Sequence, residues 1–224
     1  SLLELPGDAW AARPLWQPGH RAILYAIAGS ASNSTTLALT DLVGHSRTIT
    51  TVAGLEQYSW SPDGSRLLMR TPRNYTIHSL DGKPDVTWTD EDITSLPWWS
   101  PDGRWILTRS ATALTLVNTA TGVAQTLAQF TGATFSPDFS MPLFHPITGS
   151  PWQDDSRHFA FAADGGRWMG GSQAGTPLAA KSQGTGLFVV ALSNLKATPK
   201  AIDWGEHSAL SWSTPDPNTQ FLTQ

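Results

Sequence analysis

Eighteen carboxylates and six histidines are the side chains with which this sequence could do acid–base or metal chemistry. Two of the carboxylates, Asp63 and Asp102, stand in matching surroundings: "WSPDGSRLLMR" at 60–70 and "WSPDGRWILTR" at 99–109. Paired carboxylates are what hydrolysis by general acid and base requires. The neighbours of these two argue for another role. In Ser-Pro-Asp-Gly the proline presets φ, the aspartate accepts backbone N–H groups, and Gly64 or Gly103 takes a positive φ. Asp63 and Asp102 therefore read as turn-capping residues, and no carboxylate stands clearly at an innermost strand position. Histidines 20, 45, 78, 145, 158 and 207 show no ligand spacing such as H-x-x-x-H, and the chain has no cysteine. No metal site and no cofactor is expected. There is no G-x-S-x-G elbow, no G-x-G-x-x-G and no phosphate loop. Ser193–Lys196 matches S-x-x-K but follows an apolar strand and lacks partner motifs. No catalytic residue is assigned.

Bulk composition narrows the classes further. A net charge of -4 argues against nucleic acid, which needs a basic face. No apolar run approaches the 18 or so residues of a membrane span. The sequence opens at Ser1 without Met or a charged region ahead of an apolar run, so no targeting segment is expected within it. With 224 residues it can bury a core without staples.

The elements that position these residues come from a repeat. Trp16, Trp60, Trp99 and Trp152 each open a similar stretch, and the residue seven positions on is Ile23, Leu67, Ile106 or Phe159. A weaker fifth copy, "WSTPDPNTQFL", starts at Trp212. In each copy the Trp ends a strand, a tight turn follows, and a second strand returns. After the copies at 60 and 99 come a third strand, a turn at Asp81-Gly82 or Ala120-Thr121-Gly122, and a fourth strand. Four antiparallel strands in about 40 residues form one blade of a β-propeller. The expectation is an all-β propeller of about five four-stranded blades over residues 1–224, read as one domain. Its last blade is incomplete or closed by an N-terminal strand. Trp16, Trp60, Trp99 and Trp152 are expected in the core between blades.

The "WSPDG" hairpin resembles the WD-like repeats of TolB-type β-propellers, also found in the propeller domains of prolyl-oligopeptidase-type enzymes. The resemblance covers nearly the whole chain and is poorest at Trp212. It implies a ring of blades, an extracytoplasmic bacterial protein and a binding platform. The Trp-Asp dipeptide of true WD repeats is absent.

Strand alternation sorts the connections. Those between first and second strands, and between third and fourth, share one end of a sheet; those between second and third strands, and from sheet to sheet, share the other. Two long departures fall at this second end: 131–150 between blades, and 164–186 between the second and third strands of the fourth blade. The later one carries Arg167 and Trp168 among many glycines. Either it is a lid or partner-binding arm, or the Trp folds back as a plug. The earlier one carries His145 among Phe139, Met141 and Phe144, and reads as a flap packed on its own blade. Asp90, Glu91, Asp92, Glu206 and His207 belong to the same end and would present an acidic rim to a cation or a basic peptide. The function expected is non-enzymatic binding or scaffolding of a protein, peptide or glycan. The alternatives are the propeller part of a larger hydrolase and a small glycosidase-like propeller. Oligomeric state is not readable.

Overall fold

The computed structural model describes residues 10–28, 33–89, 97–110, 112–130, 150–163, 165–171, 175–178, 186–202, 210–211 and 222–223. Short β-branched and aromatic runs between Gly- and Pro-bearing turns give strands throughout, and every strand pair is antiparallel. Among the described residues there is no α-helix, only a 3-10 turn at Leu192–Asn194.

The first sheet holds β1 (Trp10–Trp16), β2 (Ala22–Ala28), β3 (Ser34–Asp41) and β4 (Ser46–Ala53), in that order. The second holds β5 (Gln57–Trp60), β6 (Arg66–Arg70), β7 (Asn74–Ser79) and β8 (Val86–Thr89). The third begins with β9 (Trp98–Trp99), β10 (Trp105–Arg109), β11 (Ala113–Asn118) and β12 (Ala124–Gln129). β13 (His158–Ala163), β16 (Gly186–Ala191) and β17 (Ala201–Ile202) form the fourth sheet, with Trp152 bridged to Phe159 in the place of a first strand. β18 (Leu210–Ser211), just ahead of the fifth copy, pairs antiparallel with β19 (Leu222–Thr223) at its end.

The third sheet has six strands. β14 (Arg167–Trp168) and β15 (Thr176–Pro177) come from the insertion in the fourth repeat and add to the outer edge of β12. This corrects the expectation that 164–186 is one long loop. Ala128 and Gln129 at the end of β12 offer an open edge, and a short strand with a buried aromatic takes it.

The chain divides into two compact units. One is built on the first and second sheets with residues 120–122. The other is built on the third and fourth sheets and the last hairpin. In the first unit Trp60 is buried with Leu24, Leu37 and Leu39, so the second sheet sets its tryptophan face on the leucine face of the first. In the second unit Trp152 is buried with Leu107, Leu114 and Leu116, and its Nε1 donates to the Trp98 carbonyl at 3.1 Å. Trp60 and Trp152 thus each pack on the sheet before their own. Trp99 is half-buried. Trp16 departs from the expected core position: it is 61% exposed, against 2% for Trp152. The reason is positional, since no sheet among the described residues precedes the first.

Candidate functional site

The repeated turns come first, because they consume the most conspicuous polar residues. Ser61 Oγ donates to Asp63 Oδ1 at 2.6 Å and accepts the Arg66 N–H at 3.0 Å. The Ser65 N–H and hydroxyl also donate to Asp63. Ser100, Asp102, Arg104 and Trp105 repeat the arrangement. Asp155 accepts the Arg157 N–H at 2.7 Å, and its second oxygen lies 2.8 Å from His158 Nδ1. Burial, the largest single influence on Asp63, pushes its carboxyl up. The hydrogen bonds from Ser61 and Ser65 and the charge of Arg66 outweigh it and hold the carboxyl below its ordinary value. Asp155 follows the same pattern: burial raises it, and donors from Arg157 and His158 bring it down. These carboxylates serve their turns, as the Ser-Pro-Asp-Gly chemistry implies.

Adjacent turns are also tied together within each unit. Gln17 Nε2 donates to the Gly64 carbonyl at 2.7 Å. The Asp102 N–H donates to Ser156 Oγ at 2.9 Å. Gly64 has φ +68°, and a Cβ there would stand 2.5 Å from the Pro18 carbonyl, so only glycine fits. Ser156 occupies the equivalent place in the fourth copy with φ 57°.

The other end of the sheets carries the candidate site. In the second unit the chain leaves β12 towards 131–149 and leaves β13 towards β14, so both long connections depart from this end. Arg167 on β14 lies beside Gln129, and both are exposed. Arg109 ends β10 at the same end of its sheet and is half-buried. Burial lowers its pKa to about 10, so the guanidinium stays charged at neutral pH in a partly dry setting. Beyond it Ser110 is buried, and its hydroxyl accepts the N–H groups of Thr112 and Ala113 at 3.2 and 3.0 Å, fixing the turn. In the first unit the guanidinium of the equivalent Arg70 donates to Glu56 Oε2 at 2.9 Å and to Gln57 Oε1 at 2.9 Å.

Of the expected site residues, Arg167 and Trp168 can be placed. Arg167 is exposed, whereas Trp168 is fully buried. Its ring stacks on Phe161 at 6.3 Å and 8°, and Nε1 donates to the Leu195 carbonyl at 2.9 Å. The indole is folded back into the core, the plug alternative. Asp90, Glu91, Asp92, His145, Glu206 and His207 lie outside the described residues. Arg109 was not among the expected site residues, yet its signal was in plain sight: both eleven-residue copies end in arginine, Arg70 and Arg109.

No family model matches the chain, and no curated protein matches it. Solved structures do, at the level of fold. An uncharacterized protein from Listeria monocytogenes EGD-e aligns with a TM-score of 0.59 at 11% identity, over 92% of this chain and 57% of its own length. The β-propeller domain of the Trilobed protease from Pyrococcus furiosus, described as having an open velcro topology, aligns with a TM-score of 0.52 at 12% identity, over 89% and 58%. A eukaryotic initiation factor aligns with a TM-score of 0.54 at 11% identity, over 94% and 48%. The chain thus spans between 48% and 58% of the length of these three structures. The fold is all-β and propeller-like, made of successive antiparallel sheets.

Proposed function

We propose that this propeller is a non-enzymatic binding or scaffold module that engages a protein, peptide or glycan through the loop-bearing ends of its third and fourth sheets. One observation carries the reading: both long connections leave the sheet ends that also hold Arg109 and Arg167. Long connections on a rigid scaffold are where binding residues gather. A guanidinium held partly out of water is a strong, oriented donor for carboxylate, sulfate or carbonyl oxygens. The likeness of the repeats to TolB-type propellers supports an extracytoplasmic setting, which fractionation of the producing cell tests directly.

The experiment is a thermal-melt screen against oligosaccharides, short peptides and divalent cations, with Arg167→Ala and Arg109→Gln alongside. A ligand at about 100 times its dissociation constant stabilises by about 2.7 kcal/mol. The reading predicts a shift in the parent that both variants lose. A shift that both variants retain would move the site elsewhere.

A second reading has a specific motive: one matched structure is the propeller domain of a protease, and this chain spans 58% of it. On that reading the chain is part of a larger hydrolase. The mass of the full gene product, and assay of that product on peptide substrates, separate the two.

A further inference from the structure

The outer edges of the sheets are treated unequally. In the third sheet Leu114 pairs with Ala128 and Thr115 with Thr126, leaving Leu127 as an extra residue in β12. In the first sheet Leu37 pairs with Thr50 and Ala38 with Thr48, leaving Ile49 extra in β4. The two β-bulges fall at the same place in the same strand of the repeat. Aligning them sets Thr50, Thr51 and Val52 against Ala128, Gln129 and Phe130.

Those positions of β12 accept a strand. Ala128 pairs with Trp168, Gln129 pairs with Arg167, and the Met169 N–H donates to the Leu127 carbonyl at 2.7 Å. A bulge normally discourages edge pairing, but here it does not. Under this cover Ala128 and Phe130 are 0% and 6% exposed. Their counterparts Thr50 and Val52 are only half-buried, and Thr51 and Ala53 are exposed. Among the described residues β4 is the outermost strand of its sheet.

The β4 edge also lacks the usual protections. It runs four residues beyond its bulge, Thr50–Ala53, with no proline and no charge; the strand's single charge, Arg47, lies before the bulge. β8, by contrast, is four residues long and follows Lys83, Pro84 and Asp85, and β15 is two residues long with Pro177 in it. The core beside β4 is incompletely covered: Ile49, Val52, Leu55 and Tyr58 pack on it while staying partly exposed.

We propose that Thr50–Ala53 is a β-strand addition site for a partner protein. The occupant is an extended segment lying antiparallel along β4 with an aromatic side chain opposite Thr50, as Trp168 lies opposite Ala128. Main-chain hydrogen bonds supply affinity, and the aromatic extends the adjoining apolar core. The site is on a sheet edge of the first unit, so it stands or falls independently of the loop-end site.

The chain's own edge strand is the probe. A synthetic peptide with the sequence of residues 165–178 is added to the full chain, and amide hydrogen exchange is followed by mass spectrometry. The expected result is exchange in 48–53 slowed at least tenfold at saturating peptide, no effect from a peptide with Trp168→Ser, and loss of the effect in Thr51→Lys protein. The peptide variant leaves the protein untouched, so a folding defect in Thr51→Lys cannot mask the answer. Three outcomes overturn the proposal. One is unchanged exchange in 48–53 at millimolar peptide. Another is altered exchange in β12 instead, meaning that the peptide displaces the internal hairpin. The third is protection of 48–53 that rises with protein concentration alone and doubles the mass by light scattering, meaning that a second copy takes the edge.

Discussion

Replacing Trp168 by alanine separates a core role from a ligand-contacting one. The indole is fully buried, stacks on Phe161 at 8°, and gives its only N–H to the Leu195 carbonyl at 2.9 Å. The chain approaches so closely there that a Cβ on Gly170 would collide with that same carbonyl, which leaves little room for collapse. Removing a buried tryptophan costs about 3–5 kcal/mol, and this site belongs near the upper half because the cavity cannot close and the Leu195 oxygen loses its donor. For a chain of this size each kcal/mol moves the melting temperature by roughly 2–4 °C, so Trp168→Ala should melt on the order of 8–20 °C lower. Trp168→Phe keeps an aromatic for the Phe161 stack and loses the donor, for about 1–2 kcal/mol. Thermal and urea unfolding monitored by circular dichroism read both values. A Trp168→Ala protein melting within about 2 °C of the parent, less than a single kcal/mol, would refute the argument and return the indole to the list of ligand contacts.

Gly64→Ala meets both a left-handed φ and the Pro18 carbonyl at 2.5 Å, whereas Gly82→Ala has φ +80° and nothing within 4 Å. Urea titration should give about 1–2 kcal/mol for Gly82→Ala, the conformational cost alone, and clearly more for Gly64→Ala. Trp16→Ser, at an exposed position, should change stability by no more than about 0.5 kcal/mol, while Trp152→Ala should cost about 3–5 kcal/mol; equal effects would place Trp16 in a core after all. The carboxyls of Asp63 and Asp155 lie below their ordinary values when folded, so their stabilisation is present above the unfolded value of about 3.9 and is lost as pH falls through the folded one. Melts between pH 2 and 7 should show an acid limb that flattens in Asp63→Asn and Asp155→Asn, with both variants less stable than the parent at neutral pH.

The repeat made much of the fold legible. Trp, Ser-Pro-Asp-Gly and a short apolar run specify strand, turn and strand locally, so β5–β6 and β9–β10 follow from residue types alone. The third strand and the fourth are legible because glycine turns at Gly82 and Gly122 interrupt β-branched runs. The β14–β15 hairpin was not. Its two-residue strands sit among glycines, and their partner is set by an open edge in another repeat, which no local pattern records. Trp16 misled for a related reason: the motif assigns its type, but burial depends on whether a sheet stands before it. The roles of the turn carboxylates, at the opposite end from the candidate site, were read from their neighbours. Arg109 was missed because an arginine ending a strand looks like solvated surface until its burial is known.

The strand that the fourth repeat lends to the third has a consequence for biogenesis. Ala128 and its partner Trp168 stand 40 positions apart, and the fourth sheet's second strand emerges between them. A ribosome delivering this chain releases β12 well before the segment that will cover it. Through that interval the nascent third sheet keeps an unpaired edge, the kind of surface on which neighbouring nascent chains associate. Synthesis speed across 130–168 should therefore govern the yield of monomeric protein.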